Sequence, residues 1–292
     1  MAQKSAFRFY ENALIEKFDG RWPQALEQIN RAIALNNRIS LFFVLKGQIF
    51  DSLHQVDSAI YAYRQALRIR PHAPDVLQKI GALYIEKGQP LKGVVFLKKA
   101  FAYDETQTDI LLRIARLYIT LDSLSLAQQV LSDYKVRMEL SARPPAAAYY
   151  LMEGDMAYKR KDFAAAANYY AACPCKRCFT RHQALRAFET LFLFKRFSDY
   201  FVLLTGVDEH KFQKGELFYY RGLYYKAIGN VNEAEHQFEL GLQQGSTQPG
   251  LFWELAQIYH QKKQVAKLRA LYGKLKTVAP NSNLLPKIKA LF

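Results

Sequence analysis

Cysteine, proline and glycine are scarce in this chain of 292 residues, which has three Cys, 10 Pro and 14 Gly. Three Cys cannot staple a chain of this length into a disulfide scaffold. So few Gly and Pro exclude a collagen-like or low-complexity polymer. No run approaches the length of apolar sequence that a transmembrane helix needs. Acid is also in short supply: 26 Asp and Glu face 41 Lys and Arg, for a formal charge of +15. The chain lacks a Gly-rich phosphate loop, an H-E-x-x-H helix and a G-x-S-x-G elbow, and its six His are scattered. With no constellation for nucleophilic or acid–base chemistry, no enzyme is expected. What is present is apolar mass. Half the residues are hydrophobic, with 2 Trp, 19 Tyr and 20 Phe among them, which argues against disorder.

That mass is arranged in a repeat. Gly20-Arg21-Trp22-Pro23-Gln24-Ala25 aligns with His54-Gln55-Val56-Asp57-Ser58-Ala59 and with Gly88-Gln89-Pro90-Leu91-Lys92-Gly93, at steps of 34 residues. Gly229-Asn230-Val231-Asn232-Glu233-Ala234 belongs to the same series. The register gives eight repeats starting at 6, 40, 74, 108, 147, 181, 215 and 249. Six of the seven steps are 34 and one is 39, the excess falling around Ser141-Ala142-Arg143-Pro144-Pro145. Pro-Pro stops a helix, so a local irregularity is expected there. Gln128 to Leu140 reads as a second helix longer than its counterparts.

Counting from the first residue of each repeat, position 8 is small in seven of eight (Ala13, Gly47, Gly81, Ala115, Gly154, Gly222, Ala256). Position 20 is small in six (Ala25, Ala59, Gly93, Ala127, Ala166, Ala234), and position 24 is apolar in all. Two antiparallel helices approach closely only where side chains are small. Small residues at 8 and 20 therefore predict a helical hairpin touching at that pair. Repeat 6 departs, with Phe188 and Tyr200 in place of both small residues. Two bulky groups there are expected to push the hairpin apart or shift its register.

These repeats resemble tetratricopeptide repeats, which share the 34-residue period and the pattern W-x2-L-G-x2-Y…A-x3-F…P. Repeat 2 carries Gly47, Phe50, Ala59, Tyr63, Ala66 and Pro71, and repeat 7 carries Phe218, Gly222, Tyr225, Ala234 and Phe238. The resemblance covers about residues 6–282. It implies an all-α, right-handed superhelical solenoid of about eight stacked helix-turn-helix repeats. Repeats 1–4 (1–146) and 5–8 (147–292) are expected to form one continuous stack. The tail carries Leu284, Leu285, Ile288, Leu291 and Phe292 at helical spacing, which predicts a short capping helix. Its apolar end is also a candidate for self-association.

The resemblance further implies a non-catalytic scaffold that binds a peptide or protein segment on its concave face and helps assemble a complex. Positions 2, 5, 9 and 12 of each first helix are the groove positions so implied, and the candidates are the residues at 5, 9 and 12. In repeats 5–8 they are Leu151, Asp155 and Tyr158; Leu185, Glu189 and Phe192; Tyr219, Leu223 and Lys226; and Trp253, Gln257 and His260. Aromatic and apolar residues mixed with single polar groups suit an amphipathic or aromatic-anchored segment. The competing reading places many of them in the core, because the core and groove faces of one helix adjoin. One branch of the family clamps a terminal carboxylate with Lys, Asn and Arg. Tyr10, Leu14, Val44 and Gln48 cannot supply that clamp.

All three Cys lie in Cys173-Pro174-Cys175-Lys176-Arg177-Cys178, with His182 four residues on. Cys173, Cys175, Cys178 and His182 are candidate ligands of a structural zinc, and reactive or redox-sensing thiols are an alternative. Against metal, Cys173 occupies position 27, where Ala32, Ala66 and Ala100 stand in other repeats, and a buried Cys behaves as a small hydrophobe. No cofactor is expected beyond that candidate zinc.

The positive charge is concentrated near the end, where residues 249–292 hold eight Lys and Arg against Glu254 alone. An acidic protein partner or surface, a nucleic acid, or a plain solvated face each fits this excess. The residues after Met1 contain no apolar signal-peptide core. The expected compartment is the cytoplasm, whose reducing conditions suit clustered thiols, with a periplasmic or membrane-anchored location as the alternative if a leader is removed.

Overall fold

The computed structural model describes residues 2–292, with side chains from Lys4 onward. It contains seventeen α-helices and, among the described residues, no strand. The chain divides into two compact units, Met1–Arg143 and Pro144–Phe292. The division falls just ahead of Pro144-Pro145.

The first unit comprises α1 (Ala2–Phe18), α2 (Trp22–Leu35), α3 (Ser40–Ser52), α4 (Val56–Ile69), α5 (Pro74–Glu86), α6 (Pro90–Tyr103), α7 (Asp109–Thr120) and α8 (Leu124–Leu140). The second comprises α9 (Ala147–Lys159), α10 (Phe163–Ala172), α11 (Arg181–Leu193), α12 (Phe197–Gly206), α13 (Glu216–Ala227), α14 (Val231–Gln243), α15 (Pro249–Gln261), α16 (Val265–Val278) and α17 (Leu284–Lys289). Helices α1 to α16 are eight hairpins in the predicted register. At 17 residues, α8 is longer than the other second helices, as its sequence suggests.

Every hairpin turns through the same corner of three residues. Position 15 has positive φ in all eight repeats: Gly20, His54, Gly88, Asp122, Lys161, Lys195, Gly229 and Lys263, at 54° to 84°. The next N–H bonds back to the carbonyl of position 11, as in Gln55 to Phe50 (2.9 Å) and Asn230 to Tyr225 (2.8 Å). This is the Schellman closure, which satisfies carbonyls that a helix end would otherwise orphan. Only three of the eight are Gly. The other five carry a Cβ into left-handed backbone because the corner is fixed by both helices.

Inside each hairpin the contact is more specific than small against small. In repeat 3, Gly81 and Gly93 do meet backbone to backbone: a Cβ on Gly93 would lie 2.8 Å from the Gly81 carbonyl oxygen. Elsewhere the position-8 glycine makes room for the position-24 ring. A Cβ on Gly47 would sit 2.7 Å from Tyr63, one on Gly154 2.6 Å from Tyr170, and one on Gly222 2.2 Å from Phe238. All three rings are essentially inaccessible to solvent.

Repeat 6 keeps its hairpin despite Phe188 and Tyr200. Both are buried, with ring centroids 5.1 Å apart. They are accommodated because Phe188 also stacks on Tyr220 of α13 at 4.8 Å, and the Tyr200 hydroxyl donates to the Tyr220 carbonyl oxygen at 3.0 Å. The bulk is thus absorbed between repeats 6 and 7, and α12 is short, with 10 residues. At the end of the second unit, Ile288 of α17 is fully buried, and Leu284, Leu285 and Leu291 pack against the last repeat. Those apolar residues cover the repeat, which leaves Phe292 as the exposed one of the set.

Overpacking a filled contact typically costs about 1–3 kcal/mol. Gly222→Ala is therefore expected to lower the melting temperature clearly, and adding Phe238→Leu should restore part of the loss. Lys161→Gly relieves a left-handed Cβ and should stabilise by roughly 1 kcal/mol. Denaturant melts of the three variants check both signs, and an unchanged midpoint for Gly222→Ala would refute the ring-in-notch contact.

Candidate partner-binding cleft

One hydrogen bond recurs between successive first helices. Lys17 Nζ donates to Gln48 Oε1 at 2.6 Å, Tyr158 OH to Glu189 Oε2 at 2.6 Å, and Lys226 Nζ to Gln257 Oε1 at 3.2 Å. Each runs from position 12 of one repeat to position 9 of the next, 31 residues on. His260, at position 12 of the last repeat, makes the same step: its Nδ1 lies 2.6 Å from the Leu291 carbonyl oxygen. Positions 9 and 12 therefore form a seam as well as a surface.

Asp155 is spent in another way. Its Oδ1 accepts from Tyr170 OH (2.9 Å) and from Arg186 Nη1 (2.8 Å), and its Oδ2 from Gln183 Nε2 (2.7 Å). The Arg186 guanidinium also lies over the Tyr158 ring, 5.1 Å from its centroid. Loss of hydration, and after it the Asp155 carboxylate, pushes the Tyr170 hydroxyl far above its ordinary range. Two further acidic groups lie in the interior. Glu216 and Glu235 are buried and paired, Glu216 with Arg181 (2.6 and 2.8 Å) and Glu235 with Lys262 (2.5 Å) and Lys267 (3.2 Å).

Beside this seam the second unit opens a cleft of about 630 Å³ on the face of α9, α11 and α13. Six of the twelve candidate groove residues line it: Tyr158, Leu185, Glu189, Phe192, Tyr219 and Leu223. The other six do not. Leu151 is buried in the core, because Cβ direction alone does not tell groove from interior. Asp155 is consumed by its network. Lys226 bonds Glu254 (2.5 Å) as well as Gln257, His260 is tied to Leu291, and Trp253 packs in the terminal apolar cluster. Sequence reasoning missed the floor, Phe188 and Tyr200, and the wall residues Arg186 and Tyr220. The last two both occupy position 6, a row adjacent to position 9. The departure of repeat 6 from the small-residue rule was the signal for the floor.

The four candidate zinc ligands are not brought together. Cys175 and Cys178 form a disulfide across a 3₁₀ turn, which sets their Cα atoms 5.4 Å apart, within bonding reach. Cys173 is buried, its thiol directed at the carbonyl oxygens of Ala147 (3.8 Å) and Cys175 (3.6 Å). His182 lines the cleft instead. Among the described residues no group of three or more His, Cys, Asp or Glu is placed to hold a metal ion. Burial pushes the Cys173 thiol up, outweighing the nearby Lys176 ammonium. That lysine is structural: Nζ donates to the carbonyls of Ala171 (2.8 Å) and Cys173 (2.7 Å), closing the end of α10. Lys211 holds the same loop through the carbonyls of Arg177 (2.7 Å) and Phe179 (3.1 Å).

Repeated hairpins with one corner, one ring-in-notch contact and one seam define a helical-repeat protein, a class built for surface and not for a closed pocket. Residues 10–74 match the tetratricopeptide repeat family, and the chain is similar to tetratricopeptide-repeat proteins in sequence over part of its length and in fold over most of it. A TPR repeat-containing protein of Methanocaldococcus jannaschii is 30% identical over 97 residues, 33% of this chain and 17% of that protein. A photosystem I assembly protein of Prochlorococcus marinus is 30% identical over 90 residues, 30% of this chain and 52% of its own length. The aligned part thus spans between about a sixth and about half of these curated relatives. A tetratricopeptide repeat protein from Parabacteroides merdae shares the fold, with a TM-score of 0.54 at 16% identity over 87% of this chain and 99% of that one. Among the described residues no helix is long and apolar enough to cross a membrane.

Tyrosines in the cleft and in the core behind it give a pH expectation. Burial raises the Tyr219 hydroxyl from 10.0 to about 12, and Tyr220, Tyr200 and Tyr170 are raised for the same first reason. A hydroxyl raised in the folded state contributes stability below the unfolded value that is lost as pH climbs through the folded one. Stability is therefore expected to hold to about pH 10 and to fall between about pH 10 and 12. Tyrosinate absorbance should appear together with loss of helix in that window. Full tyrosine ionisation in a still-helical protein would contradict it.

Proposed function

We propose that the protein is a non-catalytic interaction scaffold whose second unit holds a segment of a partner protein in the α9–α11–α13 cleft and so helps assemble a complex. The observation that carries this reading is the cleft itself. It joins a buried aromatic floor to half-exposed Tyr and Phe walls with a few fixed polar groups, the composition that anchors bound segments. The name of one relative, a photosystem I assembly protein, supports an assembly scaffold. A benzophenone amino acid placed at position 192 should crosslink a partner-derived peptide, and one at exposed position 61 should not. Leu223→Asp should weaken partner capture at least about tenfold, as expected for an anchor-lining residue. Equal crosslinking at both positions, with unchanged capture by a folded Leu223→Asp variant, would move the site off this cleft.

A second contact of the same scaffold is supported by the last repeat and its cap. Lys263, Arg269, Lys276, Lys287 and Lys289 are exposed and form no ion pair among the described residues. Lys262 and Lys267, by contrast, are neutralised by Glu235 and Glu239. Five unpaired cations favour an acidic protein surface, with lysines acting as point charges that steer association. Charge reversal at Lys276, Lys287 and Lys289 should slow association with the captured partner and flatten its salt dependence. A mobility shift with RNA or DNA at low salt that these reversals abolish would assign the surface to nucleic acid instead.

A further inference from the structure

The cleft carries one charge that the protein does not balance. Glu189 is exposed on its wall, and its Oε2 accepts the Tyr158 hydroxyl at 2.6 Å. Among the described residues no hydrogen bond reaches its Oε1, and no Lys, Arg or His forms an ion pair with it. The cation in the same wall, Arg186, is already neutralised by Asp155 at 2.8 Å. With Asp155 counted behind the wall as the partner of Arg186, the three groups sum to one negative charge, and its exposed member Glu189 is set among the rings of Tyr158, Phe192, Tyr219 and Tyr220. This stands out in a chain of net charge +15. At physiological salt, interactions between exposed charges fade over about 8 Å, so the remote lysines matter little to a group seated here.

A carboxylate beside aromatic faces is complementary to a cation with a flat or apolar stem. The carboxylate meets the N–H donors, and the ring faces meet the positive charge. The molecule shows that pairing in its own structure, where Arg186 lies over Tyr158 at 5.1 Å while its Nη1 bonds Asp155. A volume of about 630 Å³ exceeds one side chain, so the rest of the cleft is left for flanking apolar residues.

We infer that the segment held in this cleft is anchored by a cationic side chain, an arginine above all, set between the Glu189 carboxylate and the Tyr and Phe rings and flanked by apolar residues. This rests on the cleft being the partner-binding site. It assigns opposite signs to two regions of the second unit: the cleft takes a base, and the C-terminal lysines face an acid.

The test uses the full chain and three capped pentapeptides, Ac-Ala-Leu-X-Leu-Ala-amide with X as arginine, its neutral isostere citrulline, or glutamate. Binding is followed by amide and side-chain chemical shifts. The arginine peptide is expected to bind about fivefold or more tighter than the citrulline peptide, since a paired cation over a ring supplies about 1 kcal/mol. Glu189→Gln keeps the Tyr158 hydrogen bond and lies on the surface, so it should fold normally. It should erase the arginine preference while leaving the citrulline peptide unchanged. Equal affinities for arginine and citrulline, or tighter binding of the glutamate peptide, overturns the inference. If all three bind alike and Leu223→Asp weakens all three, the cleft stands as a binding site and the cationic anchor alone is refuted. If none shifts cleft resonances at millimolar concentration, both readings of the cleft fail.

Discussion

The distance between the two helices of a hairpin decides everything else in this protein. Where position 8 is glycine, the ring or leucine at position 24 lies against bare backbone, and the helices close around it. That contact is apolar, buried and repeated. Both helices of each hairpin are thereby fixed in direction, and the left-handed corner at position 15 follows even where the residue is His, Asp or Lys. Strain at five corners is a small fraction of the burial that each hairpin gains. Repeat 6 shows the same constraint from the opposite side. With Phe188 where a small residue belongs, the aromatic mass is shared with Tyr220 of the next hairpin, and the polypeptide opens a cleft next to that junction.

Between hairpins the stabilising contacts are of a different kind. The position-12 donors reach the position-9 acceptors of the next first helix, and buried carboxylates such as Glu216 take Arg181 from the preceding repeat. A polar side chain on the face of the first helices is thus divided between holding its neighbour and facing outward. Glu189 does both, with one oxygen on Tyr158 and no hydrogen bond to the other among the described residues. Asp155 does only the first.

Much of the architecture was legible in the sequence because a period of 34 residues repeats the same physical demand eight times. Small residues at position 8, apolar ones at 24 and the Pro-Pro step are each local signals, and the helices fall where they predict. The site was only half legible. A groove position implied by the family resemblance gives only the direction of a Cβ, and six of the twelve so implied, Tyr158, Leu185, Glu189, Phe192, Tyr219 and Leu223, line the candidate cleft. It does not say whether another element covers that Cβ, as with Leu151, or whether a neighbour claims the polar head, as with Asp155 and His260. The cysteine segment was legible in part. Cys173 is held inside, as its place at position 27 suggests, whereas the 3₁₀ turn that pairs Cys175 with Cys178 leaves no mark in the spacing of the thiols.

The corners have a consequence for how such a chain can change in length. Within every hairpin the turn is three residues long, and its backbone closure leaves no room for a fourth. Between hairpins the connections run from four to nine residues, and the extra residues before α9, the cysteine loop before α11 and the 3₁₀ turn before α13 all lie there. One residue inserted between positions 9 and 12 would swing a seam donor by about 100° around its helix. Insertions and deletions are therefore tolerated at every second corner only, and there the fold can acquire new loops without disturbing the hairpins on either side.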